Sequence, residues 1–223
     1  PNARKQWMSA TYKIGIFGDS FANCNSDNPD VHLQWYEYVQ QQLPDLEIYN
    51  HGHAGSSFYF TWKQFQEHQA KYDKVIVCGT TPNRLWMPHL PKEWELEHVH
   101  AMSMFTYIHY PPSKDIDMMK DALSMYFEYI VNDQETIDVH KLQLDNIKSL
   151  RYDQLYIPGY MKIYPDDYLP LIHISNLDGK RPKGRDTRAN HLNDTNNRIL
   201  ADKIVKWLST NEFNMEITEF STK

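Results

Sequence analysis

Between residues 12 and 79 the chain alternates three short apolar runs with two longer amphipathic ones, and that order restricts the fold more than any other feature. Residues 12–17 (YKIGIF) read as a buried strand closed by Gly18. Residues 31–43 place apolar side chains at Val31, Trp35, Tyr38, Val39 and Leu43, the spacing of one helix face, and Pro44 ends the run. Residues 46–50 read as a second strand, 51–57 as a glycine-bearing turn, 58–72 as a second helix and 74–79 (KVIVCG) as a third strand. The run Val75-Ile76-Val77 suits a strand covered on both faces, as parallel strands are. Strand, helix, strand, helix, strand calls for parallel pairing through right-handed crossovers, so the fold class is α/β.

Further along, the pattern predicts helices over 116–131 and 136–150, a strand over 153–158 and a last helix over 199–208. A chain of 223 residues suits one well-cored domain, taken here as 1–210. Residues 80–114 break the pattern with Pro82, Pro88, Pro91, Pro111 and Pro112 beside Trp86 and Trp94. We read an insertion at about 84–115; so long a connection usually serves as a lid or pocket wall. Residues 211–223 are expected to form a loosely attached tail.

Composition narrows the functional classes. The formal net charge is −6, and the basic residues gather only in a short cluster, Lys180, Arg181, Lys183, Arg185 and Arg188, so no nucleic-acid partner is expected. That cluster reads as a solvated loop or as a contact for an anionic substrate. Cys24 and Cys78 make no disulfide framework and read as free thiols, which favours a reducing compartment. No stretch approaches the ~18 apolar residues of a membrane span, and nothing reads as a secretory leader. A soluble protein, cytoplasmic or part of a virion or surface assembly, is expected. His89, His98, His100 and His109 with Glu95 and Glu97 lack the His-Glu-x-x-His spacing, so no metal is expected. Neither Gly-x-Gly-x-x-Gly nor Gly-Lys-Ser/Thr occurs, so no nucleotide cofactor is expected. Aromatic residues reach 13%, with 15 Tyr and 6 Trp, which suits a large aromatic core or an aromatic groove of the sugar-binding kind.

The residues that carry chemistry fall on four loops. Gly18-Asp19-Ser20 follows the first strand, and parallel sheets bind ligands at the carboxyl ends of their strands. A serine hydroxyl there becomes a nucleophile once a base takes its proton; the alternative is a turn or helix-capping serine. After the second strand, 50–57 (NHGHAGSS) contains Gly55, whose backbone N–H can approach a substrate closely enough to hold an oxyanion. After the third, Thr81 and Asn83 put polar side chains on the same edge. Residues 186–193 (DTRANHLN) precede the last helix; His191 suits a general base and Asp186 the acid that orients it. Asp19, His53, Arg84 and Trp86 stand on these loops as candidate substrate contacts.

Taken in order, the four blocks resemble those of the SGNH hydrolases, also called GDSL-like lipases and esterases. Gly18-Asp19-Ser20 matches the first block, Gly55 the second-block glycine and His191 the last-block histidine, while Gly79-x-Thr81 lies where the family has Gly-x-Asn. The resemblance implies a flavodoxin-like three-layer α/β/α sandwich with roughly five parallel strands. It also implies a metal-free, cofactor-free site in which Ser20 attacks an ester and His191 serves as base. The N–H groups of Ser20 and Gly55, with a side-chain donor, would hold the oxyanion. Two positions depart from the family. Arg188 stands where the family has Asp three residues before the histidine, so either Asp186 reaches the ring, or the acid comes from elsewhere, or serine and histidine act as a dyad. Thr81 replaces the asparagine, leaving Thr81 or Asn83 as third donor. The expectation is a serine esterase or deacetylase cleaving a small acyl ester, with an acylated carbohydrate as the favoured substrate; acyl transfer to an alcohol uses the same residues. The alternative is a non-catalytic module of this fold in a larger assembly.

Overall fold

The computed structural model describes residues 12–23, 33–86, 98–100, 114–175 and 191–221. Its elements run β1 (Tyr12–Phe17), α1 (Trp35–Gln42), β2 (Leu46–Asn50), α2 (Phe58–His68), β3 (Lys74–Cys78), β4 (Arg84–Trp86) and β5 (His98–His100), then α3 (Lys114–Tyr129), α4 (Asp133–Leu150), β6 (Gln154–Ile157) and α5 (Asp194–Thr210). Strands β1, β2, β3 and β6 pair in parallel in the order β2-β1-β3-β6.

The alternation along β3 shows why the chain stacks in three layers. The strand is buried throughout, with Ile76 and Cys78 facing one core and Val75 and Val77 the other. On the first face, Trp35 and Val39 of α1 and Leu200, Ile204 and Trp207 of α5 pack over Ile14, Ile16, Leu155 and Ile157. On the second, Phe58 and Phe65 of α2 and Leu144 and Ile147 of α4 cover Phe17 and Tyr156. Each such fully buried side chain contributes about 1.5–3 kcal/mol. The layers are also stitched at their ends. Lys74 Nζ donates to the Leu208 carbonyl at 3.5 Å and to the Asn211 side chain, and lies 4.4 Å from the centre of the Trp207 ring. A cation there satisfies the open carbonyls of the helix terminus, and Asn211 (φ 60°) supplies its left-handed cap.

The α/β sandwich holds, with several differences in detail. Among the described residues the parallel sheet has four strands rather than five. Within the expected insertion, β4 and β5 form an antiparallel ribbon pairing Arg84 with His100 and Trp86 with His98. Strands of three residues are too short to show a period in sequence. The last helix begins at Asp194 rather than 199, because Asn196 and Asn197 are buried and interrupt its apolar pattern. The expected loose tail needs correction: Met215 and Phe220 join the first core, and Asn196 exchanges side-chain hydrogen bonds with the Ser221 backbone at 2.8 and 2.9 Å. Cys78 is a free, buried thiol whose pKa burial pushes up; Cys24 and the basic cluster at 180–188 lie outside the described residues. No helix among the described residues is long and apolar enough to cross a membrane.

Candidate active site

The strand order reverses direction at β1. Its successor β2 lies on one side and β3 on the other, so the carboxyl ends of β1 and β3 open a crevice between their departing loops. Gly18 makes the exit from β1 possible: a Cβ there would stand 2.8 Å from the Cβ atoms of both Ala22 and Cys78. The chain then makes a helical turn, Ala22 and Asn23 N–H both donating to the Asp19 carbonyl at 2.9 Å, and Ser20 rides on that turn. Ser20 is buried but for 7% of its surface.

Asp19 is fully buried and both oxygens of its carboxylate accept hydrogen bonds. The Phe21 N–H donates to Oδ1 at 3.0 Å, Thr80 Oγ1 to Oδ2 at 2.6 Å, and Arg84 Nη1 to the same Oδ2 at 2.9 Å. Arg84 Nη1 also donates to the Ser56 carbonyl at 3.0 Å, and Nη2 to the Tyr160 hydroxyl at 3.4 Å. Asp19 and Arg84, read from sequence as candidate substrate contacts, engage one another here. They form a buried ion pair that ties the loops after β1, β2, β3 and β6 to one another.

The loop after β2 continues the pairing of β1 and β2 past both strands, since His51 N–H donates to Ile16 O at 2.7 Å and His53 N–H to Gly18 O at 2.9 Å. Asn50 bridges the same two loops, donating to Ala22 O and accepting from Gly52 N–H. Gly55 follows with φ 81°, a left-handed conformation that favours glycine, and no atom lies within 4 Å of where its Cβ would be. His53 is exposed, its ring edge-on to Phe60. His51, beside it, is instead packed inward. It stacks on Phe17 and His68 and meets the Tyr72 hydroxyl at 2.5 Å; burial, then His68 and Lys71, lower its pKa.

His191 reaches this edge from the other end of the chain. It is buried, and its ring stacks on Phe21, the residue after Ser20, at 5.4 Å between centroids. Trp35 and Asn197, neither read from sequence as part of the site, hold the two loops together. The Trp35 indole N–H donates to Phe21 O at 2.7 Å, and its backbone N–H to Asn197 Oδ1 at 3.0 Å. Asn197 Nδ2 in turn donates to Leu192 O at 3.2 Å. One buried Trp–Asn pair thus carries both the carbonyl next to Ser20 and the carbonyl next to His191. The sequence signal was slight: a tryptophan at a helix start and a buried polar pair in the first turn of an amphipathic helix.

Thr81 and Asn83 are half-buried on the loop leaving β3, while the neighbouring Thr80 is the residue that bonds Asp19. Trp86 is half-buried on β4 with its ring 5.4 Å from that of Tyr59. Asp186 and Arg188 lie outside the described residues.

No family model matches the sequence, and no curated protein matches it. Solved structures do. A member of the lipolytic protein G-D-S-L family from Veillonella parvula is 13% identical with a TM-score of 0.41, covering 89% of this chain and 99% of its own. An acetyl xylan esterase variant from Geobacillus stearothermophilus is 14% identical with a TM-score of 0.39, covering 93% and 97%. The lipase/acylhydrolase from Enterococcus faecalis is 13% identical with a TM-score of 0.37, covering 90% and 96%. The chain is similar to these proteins, and at such identities and scores the likeness assigns no role to any residue.

Proposed function

We propose that the protein is a serine ester hydrolase of the SGNH type, with Ser20 as nucleophile and His191 as general base. One observation carries this reading: a serine at the reversal point of a parallel sheet, with a buried histidine stacked on the residue that follows it. Ser20 Oγ attacks the ester carbonyl carbon while His191 takes its proton. The tetrahedral oxyanion is held by the N–H groups of Ser20 and Gly55, with Thr81 or Asn83 as third donor. Each such donor is worth ~10²–10³ in turnover. Collapse breaks the bond to the alcohol, which leaves with the proton from His191. Water then attacks the acyl-enzyme, again deprotonated by His191, and frees Ser20. Asp186 is the candidate acid for orienting the imidazole. The acyl group is small, acetyl foremost, and the alcohol is a carbohydrate.

The test is labelling by a fluorophosphonate probe, which reacts only with an activated serine. Wild-type protein should label, and Ser20→Ala and His191→Ala should not. A folded wild-type protein that takes no label would overturn the assignment and leave a non-catalytic binding module.

A further inference from the structure

Beside the active site a cleft of about 420 Å³ opens between α2, β4, the end of α3 and the first turns of α4, within the range of about 300–1,000 Å³ usual for small-molecule sites. Asn132, Thr136, His140 and Gln143 recur three or four residues apart on and just before α4, so they share the helix face that lines it. Tyr59 and Trp86 stand opposite. His140 is 3% exposed, its ring stacked on Phe58 at 3.8 Å between centroids and 9° from parallel. Neither of its ring nitrogens has a hydrogen-bond partner among the described residues. Burial lowers its pKa to about 3, so the ring is a neutral donor and acceptor at physiological pH. Native folds rarely leave such a group unpaired, and a water, an ion or a ligand hydroxyl can complete it.

The lining chooses among ligands. Its cation, Arg84, is neutralised by Asp19, and Glu135 adds negative charge, so an anion gains nothing. A fatty chain would leave the imidazole as it is. A sugar ring meets both demands, with hydroxyls for the imidazole and amides and a C–H face for the aromatic rings. Position agrees: Arg84 runs from the cleft wall to Asp19, and Phe58 directly follows the buried pair Ser56-Ser57. We propose that this cleft is a subsite for a neutral sugar ring of the substrate, with a hydroxyl bonded to His140 and a ring face packed on Tyr59 and Trp86.

The proposal rests on the ester-hydrolase reading for its first readout and is independent of it for the second. In the first, kcat/KM is measured on peracetylated cellobiose and xylobiose and on p-nitrophenyl acetate. His140→Phe and Trp86→Ala should each lower the ratio of sugar ester to nitrophenyl ester by about tenfold or more, the effect of one lost hydrogen bond or ring contact. An unchanged ratio overturns the subsite. Phenylalanine keeps the stack on Phe58 without the unpaired nitrogens, and a melting curve verifies that the variant folds. In the second, cellobiose and xylobiose are titrated calorimetrically into wild-type protein and His140→Phe. Binding that weakens about tenfold in the variant upholds the subsite even if Ser20 takes no label. Absence of binding by either sugar, or equal binding by both proteins, overturns it even if Ser20 labels.

Discussion

Two buried side chains, Asp19 beneath Arg84 and His140 in the wall of the cleft that Arg84 also lines, are treated in opposite ways. Asp19 has no exposed surface, and three donors bond to its carboxylate. His140 is almost as deeply buried, yet both its nitrogens lack partners among the described residues. The difference follows what each region does. A buried network of charge-assisted hydrogen bonds has one low-energy arrangement, and it ties together the loops after β1, β2, β3 and β6. An unpaired polar group costs about 1–3 kcal/mol in the empty protein, and a ligand that pairs with it recovers that free energy on binding. The Asp19 network is built to hold still, and on our proposal the wall bearing His140 is built to receive.

The largest effect expected from breaking this contrast comes from Asp19→Ala, which leaves the Arg84 guanidinium buried and unpaired. A loss of about 3–5 kcal/mol is expected, read as a lower denaturation midpoint at unchanged slope. Adding Arg84→Met should restore part of it, since a pair removed together strands no charge. A loss under about 1 kcal/mol from Asp19→Ala would place the pair among ordinary surface bridges and undo the contrast.

On the other side, His140 gives stability a pH dependence. Its folded pKa is lowered to about 3, while in the unfolded chain it titrates near the ordinary 6.5. Above that value both states carry a neutral ring and the residue contributes no slope. Below it the unfolded chain takes up a proton that the folded protein refuses, so stability falls until pH reaches about 3. Between pH 6.5 and 5 the loss from this residue is about 2 kcal/mol, at about 1.4 kcal/mol per unit. Urea denaturation of wild type and His140→Phe across that range checks it: the variant should show the shallower decline, and parallel curves would remove His140 from the account.

A smaller effect probes the link between the two catalytic loops. Trp35→Phe keeps most of the buried ring but leaves the Phe21 carbonyl without its donor, an expected loss of about 1–2 kcal/mol. Turnover on p-nitrophenyl acetate should fall alongside, because the turn bearing Ser20 loses its anchor to the His191 loop. Loss of stability with full turnover would show that the Trp35–Asn197 pair supports the fold without positioning the site.

How far such features were legible in the sequence depended on their range. β1 and β2 run over the residues read from sequence: β1, inside the parallel sheet, as a largely apolar run, and β2, at its edge, as an apolar-polar alternation bounded by Pro44 and the glycine turn. Ser20, Gly55 and His191 stood out in the sequence because few residue types can do the chemistry proposed for them. The pairing of Arg84 with Asp19 was not legible, because the two lie 65 residues apart and meet only in the fold. His140 showed only as one polar position in a helical pattern, and its burial depends on Phe58 from another layer. Met215 and Phe220 are isolated apolar residues without periodicity, so their return to the core left no local sign.

The smallest expected change in stability belongs to Gly55→Ala, and it separates backbone strain from chemistry. At φ 81° an alanine costs about 1 kcal/mol, and nothing lies within 4 Å of its methyl group to add a clash. Gly52→Ala is the contrasting case, its Cβ falling 2.8 Å from Ala22 Cβ and 2.9 Å from Asn23 Cβ, so the packing itself must shift. Since the space above Gly55 is open, a fall in turnover well beyond its modest loss of stability would come from an altered approach of substrate to the Gly55 N–H. Gly55→Ala should therefore lower kcat on p-nitrophenyl acetate while the protein remains folded at the assay temperature. Full turnover in that variant would take Gly55 out of the oxyanion hole and leave the Ser20 N–H and the loop after β3 to hold the charge.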